Sequence, residues 1–250
     1  MGAAPWNPKL DAYIAAGARS IPTVSAEVRE ALDLIGKRMK PAEDGQALQL
    51  LALRRYLRLG PKRVQAQWSW SADQAAVLVR QGAAKVLVDE AAKVQSTFAR
   101  ANPGYVLALS PLRSLERQVR LWNGNSSVQR AATDLRARFL EDVNDPDDYP
   151  NPPTGESIAV FIYTLRVSIV KPEPTSAAPG TSDHGQMRAV DFVVMRSSGA
   201  LVAGTKSSSI ASVWKQGGWE AKLIAATAGT QLVGPLQHPY EPWHWRLTRA

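Results

Sequence analysis

The stretch Arg188-Ala-Val-Asp-Phe-Val-Val-Met195 sets one carboxylate, Asp191, in the middle of an apolar run rich in β-formers. Valine and phenylalanine at this density predict a strand. Alternation along it puts Asp191 on the face of Ala189 and Val193, opposite Val190 and Phe192. Further strands are expected on either side: Ile158–Val170 (I-A-V-F-I-Y-T-L-R-V-S-I-V), A-L-V-A-G-T after a Ser-Gly turn, and a final W-H-W-R-L from Trp243 to Leu247. Between the last two, V-W-K-Q-G-G-W-E-A-K-L-I-A-A-T-A-G-T holds a helix ending near Gly229.

The chain before this region has a different period. Val28, Leu32 and Ile35, then Leu48, Leu51 and Leu53 to Leu57, fall at helical spacing on either side of K-P-A-E-D-G, which predicts two helices. Ser71 can cap a third over residues 72–100, broken near Gly82. Asn102-Pro103-Gly104 then turns the chain into the short strand Y-V-L-A-L-S, and Leu115, Val119 and Trp122 mark a helix after it. Glu141–Ser157 is acidic and proline-rich, an exposed loop that interrupts a domain. Helices first and strands later give an α+β fold with a mostly antiparallel sheet flanked by helices. The expected organisation is a helical region over 1–70 and a second domain over 71–250.

Composition narrows the chemistry. The chain has 250 residues and 45% hydrophobic content, enough for a real core. It has no cysteine, which excludes disulfides, thiolate metal sites and cysteine nucleophiles. Thirty basic against 22 acidic residues leave a formal +8, favouring an anionic partner without choosing one. No apolar run is long enough for a transmembrane segment, and M-G-A-A-P-W-N-P lacks the plan of a secretory signal.

The three histidines are His184, His238 and His244. An unpaired carboxylate buried at Asp191 costs several kcal/mol, so it needs a partner, either a nearby loop or something more specialised. His244 lies in E-P-W-H-W, where alternation turns the tryptophans to one side and the imidazole to the other. Pro242 biases Glu241 toward an extended shape, and a bend there brings Glu241 and His244 into one cleft. The rival reading is a tryptophan-rich core strand with a satisfied histidine. Taken together, His184, Asp191 and His244 supply two nitrogens and one oxygen, a set Zn²⁺ accepts with a fourth position left for water. Glu241 is then placed as general base. His238 reads as an exposed loop histidine outside the ligand set.

S-D-H-G-Q-M-R-A-V-D (Ser182–Asp191) and E-P-W-H (Glu241–His244) resemble the two signatures of the zinc D-alanyl-D-alanine carboxypeptidases of the VanY type. That family includes phage L-alanyl-D-glutamate endopeptidases. Ser182, His184, Ala189, Asp191, Glu241, Trp243 and His244 match; Met187 stands where the family carries glycine. Y-V-L-A-L-S-P-L-R-S-L-E-R-Q resembles the family's strand, turn and helix, with Arg113, Ser114 and Gln118 at its arginine, serine and glutamine. Pro111 and Leu112 replace the usual small and aromatic residues. The resemblance covers residues 72–250.

The resemblance implies a zinc carboxypeptidase-like fold and a metallopeptidase that hydrolyses an amide bond in the peptidoglycan stem peptide. His184, Asp191 and His244 would hold zinc and Glu241 would act as base. Arg113 would stabilise the oxyanion, with Arg166 its rival, and Ser182, Gln118 and Trp243 would meet substrate. A non-catalytic module binding wall peptides is the alternative. Nucleic-acid binding by R-R-Y-L-R-L-G-P-K-R is a further rival, against an ordinary solvated helix face. The expected site of action is the bacterial cell wall. With no leader visible, a phage lytic enzyme, cytoplasmic until lysis or carried in a virion, is an economical route.

Overall fold

The computed structural model describes residues 5–37, 39, 42–110, 113–171, 173–174 and 176–248. Pro111 and Leu112, the departures next to Arg113, lie outside these. In chain order the elements are α1 (Pro8–Arg19), α2 (Ser25–Lys37), α3 (Ala42–Leu59), α4 (Pro61–Gln67), α5 (Ala72–Arg80), α6 (Lys85–Ala101), β1 (Tyr105–Leu109), α7 (Leu115–Asn123), α8 (Ser126–Val143) and α9 (Gly155–Val167). A 3₁₀ turn (Asp183–Gln186), β2 (Ala189–Arg196), β3 (Leu201–Ala203), α10 (Trp219–Thr227), β4 (Leu232–Val233), β5 (Leu236–Gln237), β6 (Tyr240–Glu241) and β7 (His244–Leu247) follow. The α+β class and the antiparallel sheet are as expected. Among the described residues no helix is long and apolar enough to cross a membrane.

Two compact units form, Met1–Ser71 with Ser114–Ser182, and Ala72–Arg113 with Asp183–Ala250. Among the described residues the regular elements of the first are all helices. Its single core joins Leu10, Tyr13, Leu51 and Tyr56 of the early helices to Trp122, Leu135, Phe139, Phe161 and Leu165 of α7–α9. The units therefore divide the chain differently from the expected split at residue 70. The apolar faces of α7, α8 and α9 find their complement on α1–α3, so the segment 114–182 leaves the sheet and joins the N-terminal helices.

One strand expectation is overturned. Ile158–Val170 begins as helix α9, because Thr154 Oγ1 accepts from Ser157 N at 3.2 Å while Ser157 Oγ accepts from Thr154 N at 3.0 Å, a reciprocal cap that fixes a helical start. Its buried positions, Ser157, Phe161 and Leu165, recur every four residues. That is the helical period, and packing of Phe161 on Phe139 (5.6 Å between ring centroids) and Tyr13 (5.3 Å) overrides the β propensity of the run. The acidic loop is correspondingly shorter: α8 takes its first residues, α9 its last, and Tyr149 anchors it edge-on to Tyr13 at 5.3 Å.

Two residues of the basic stretch at the end of α3 depart from a solvated face, while its other cations, Arg58, Lys62 and Arg63, are exposed. Arg54 is fully buried, pairs with Glu173 at 2.9 Å and donates to Ser168 O at 2.7 Å. Arg55 shares the same carboxylate at 3.2 Å. These two pairings tie α3 to the segment after α9 within the helical unit.

The second unit is built on β2. β1 pairs antiparallel along one edge, from Tyr105↔Arg196 to Leu109↔Phe192. The other edge carries β3 against Val194 and Met195 and β7 against Ala189–Asp191, with β4 beyond β7. α6 packs on β1 and on α10, with Trp219 4.7 Å from Tyr105 and 6.2 Å from Phe98. The break expected near Gly82 separates α5 from α6, and Gly82 itself takes φ +85°.

Candidate metal centre

Register makes the centre. Asp191 of β2 lies directly opposite His244 of β7, and directly paired residues on antiparallel strands project to the same face. His184 arrives from the 3₁₀ turn that leads into β2, a turn closed by Met187 N donating to His184 O at 3.2 Å and Arg188 N to Asp183 O at 3.0 Å. Met187 takes φ +54° to close it. The position where the signature carries glycine is thus one where the backbone turns left-handed, which glycine adopts without strain.

The three donor atoms form a near-equilateral triangle. His184 Nε2 and His244 Nδ1 are 3.0 Å apart, His244 Nδ1 and Asp191 Oδ1 3.0 Å, and His184 Nε2 and Asp191 Oδ1 3.2 Å. A tetrahedral ion about 2.0–2.1 Å from each donor needs donors about 3.3 Å apart. All three residues are buried. The set fits a divalent ion closely, and this buried group could hold one.

The electrostatics agree with a ligand set. Burial alone would raise the Asp191 carboxyl, but hydrogen bonds from His184 and His244, with the charge of Arg113, hold it well below the ordinary carboxylate range. Burial lowers His184, against the opposing pull of Asp191, so its imidazole is neutral at pH 7. Ionised carboxylate and neutral imidazole are the forms that ligate.

Glu241 joins from the other side of a turn. It ends β6, Pro242 and Trp243 form the bend expected there, and His244 opens β7. The bend brings Glu241 Oε2 to 3.9 Å from His244 Nδ1, and Trp243 O accepts from Phe192 N at 3.0 Å, tying the turn to β2. Burial raises the Glu241 carboxyl above its usual range, partly offset by His244.

The other expected residues are placed less uniformly. Arg113 donates through Nη2 to Asp191 Oδ2, a partner the sequence did not suggest. Arg166, its rival, is exposed on the last turn of α9 in the helical unit. Gln118 is buried in the helical unit, where its Nε2 donates to Ser69 Oγ at 2.8 Å and its Oε1 accepts from Gly180 N at 3.0 Å. Ser182 closes that unit's second segment, its carbonyl accepting from Ser69 Oγ at 3.4 Å. Trp243 is buried with its ring 5.9 Å from Trp214, so it packs the interior beneath the turn. His238 is exposed in the β5–β6 turn, outside the cluster.

Two residues that no motif marked also bear on the site. Tyr240 Oη donates to the Glu220 carboxylate, mooring the β5–β6 hairpin that carries Glu241 to α10. Glu220 sits twenty residues earlier on a helix, so only the fold could reveal the pairing.

No protein-family model, curated protein or solved structure matches the chain. What the fold and the site define is a class: an α+β protein with a buried His–Asp–His group able to hold a metal ion, and a half-buried glutamate beside it.

Proposed function

We propose that this chain is a zinc-dependent peptidoglycan peptidase. It would hydrolyse an amide bond of the stem peptide, in the manner of a D-alanyl-D-alanine carboxypeptidase or an L-alanyl-D-glutamate endopeptidase. The observation that carries the reading is the convergence of both signatures: His184 and Asp191 from one and Glu241 and His244 from the other meet within one cluster. Two imidazoles and one carboxylate at tetrahedral spacing favour zinc over the harder, all-oxygen cations.

His184, Asp191 and His244 would hold the ion, which when bound supplies Lewis acidity to a water and to the scissile carbonyl. Glu241 accepts a proton from the attacking water at a carboxylate oxygen. As the C–N bond breaks, Glu241 returns that proton to the departing amine nitrogen. Its raised pKa suits both halves of the shuttle, since a base too acidic holds a proton poorly. The stem peptide lies in the bacterial wall, which would be the site of action.

The test is mass spectrometry of purified peptidoglycan fragments after incubation with the protein, with and without a chelator. The expected result is chelator-sensitive release of new fragments, whose masses identify the bond. Stoichiometric zinc with no new fragment would leave a wall-peptide binding module and overturn the peptidase.

A further inference from the structure

The Asp191 carboxylate splits its two oxygens between different partners. Oδ1 faces His184 and His244 at 3.2 and 3.0 Å, while Oδ2 accepts from Arg113 Nη2. We propose that Arg113 is a positioning residue that keeps Asp191 a one-oxygen ligand, so that the ion retains an open coordination position. This rests on the metal reading above and departs from the role as oxyanion stabiliser that the resemblance implies.

The backbone prepares this contact. β1 runs beside β2 as far as Leu109↔Phe192, and Ser110 N then donates to Asp191 O at 2.9 Å. Strand pairing thus delivers Arg113, three residues on, to the carboxylate it grips. Asp191 is fully buried while the Arg113 side chain stays 27% exposed. The guanidinium therefore balances a wholly buried charge while its own side chain keeps partial contact with solvent, which lowers the desolvation cost. The planar guanidinium aims its Nη2 donor at one carboxylate oxygen, a directional hold that a freely rotating point charge gives less well.

The consequence is geometric. Without a donor at Oδ2, that oxygen is free to swing toward the ion and make the carboxylate bidentate, filling the position that catalysis needs open. Affinity is a poor gauge, because removing Arg113 deletes an orienting contact that favours the ion and a positive charge that repels it. Coordination number discriminates.

The experiment is to load wild type, R113M and R113K with Co²⁺, verify one ion per chain by metal analysis, and record the visible d–d absorption. Wild type is expected to show the intense bands of a four-coordinate site. At equal loading R113M should lose that intensity severalfold as a second carboxylate oxygen joins. R113K keeps the charge that balances Asp191 and offers a single shorter donor, so it is expected between the two and decides the matter alone if R113M does not fold. Both variants matching wild type at full loading would show that Arg113 does not act through Asp191. A wild type that takes up no Co²⁺ would instead bring down the metal reading, and this inference with it.

Discussion

His184 Nε2 and His244 Nδ1 face one another at 3.0 Å across a sequence separation of sixty residues, with the Asp191 carboxylate beside both. Two ring nitrogens aimed at each other share at most one proton, and a dication satisfies all three groups at once. Purified protein should therefore gain stability with Zn²⁺ and lose it with a chelator. At a hundredfold excess over Kd the gain is about 2.7 kcal/mol. H184A and H244A should each abolish it, as read by thermal melts with metal analysis. An unchanged melting temperature across wild type with zinc, wild type with chelator and both variants would remove the metal.

Glu241 lies 3.9 Å from His244, beside the donor triangle and outside it. Glu241→Gln should keep full zinc content while turnover on stem-peptide fragments falls by about 10²–10⁴-fold. Metal loss equal to that of H184A would make Glu241 a ligand and end its role as base.

Much of this site was readable before the fold, for a physical reason. Strand alternation at Asp191 and the proline bend between Glu241 and His244 are local rules, and they marked side chains that the structure brings together beside His184. The partner of Arg113 was not readable, since it depends on the register Leu109↔Phe192, and register is set by whole strands. Ile158–Val170 misled because a continuous apolar run has no period to distinguish strand from helix; the cap at Thr154 and Ser157 decided it. Helix α8 is one that no expectation covered, although Val128, Leu135 and Phe139 lie on its buried face at helical spacing. Helical periodicity reveals which face is apolar but not what it packs against, so the union of 114–182 with the first 71 residues had no local signal.

Acid sensitivity should trace in part to Glu90, a buried carboxylate between α6 and the loop before β4. It accepts from Lys93 Nζ at 2.6 Å and from Gln231 N at 2.8 Å. The Lys93 hydrogen bond, and next the Gln231 amide, hold its carboxyl below the ordinary glutamate value. The unfolded chain then binds the proton more readily than the native one, so the stabilisation is complete above the unfolded pKa and is lost as pH falls through the native one. E90Q should be less stable than wild type at pH 7, with the gap closing as pH drops below the ordinary glutamate range. Urea denaturation across that range measures it, and a gap independent of pH would refute the assignment.

Met187 offers a test of the turn that delivers His184. Its side chain is buried and its φ is +54°, so two effects oppose each other on substitution. Removing a buried methionine side chain costs about 2–5 kcal/mol, while the left-handed conformation costs any residue with a Cβ about 1–2 kcal/mol. Burial outweighs strain, so both M187A and M187G should be less stable than wild type. Their order is the informative result. In a regular element alanine is the more stable of the two by about 0.5–1 kcal/mol; here alanine keeps the strain and glycine sheds it, so M187G should exceed M187A by about 1 kcal/mol. Equilibrium denaturation of the two variants side by side reads the sign directly, and M187A the more stable would mean that the turn before β2 is not left-handed at this residue.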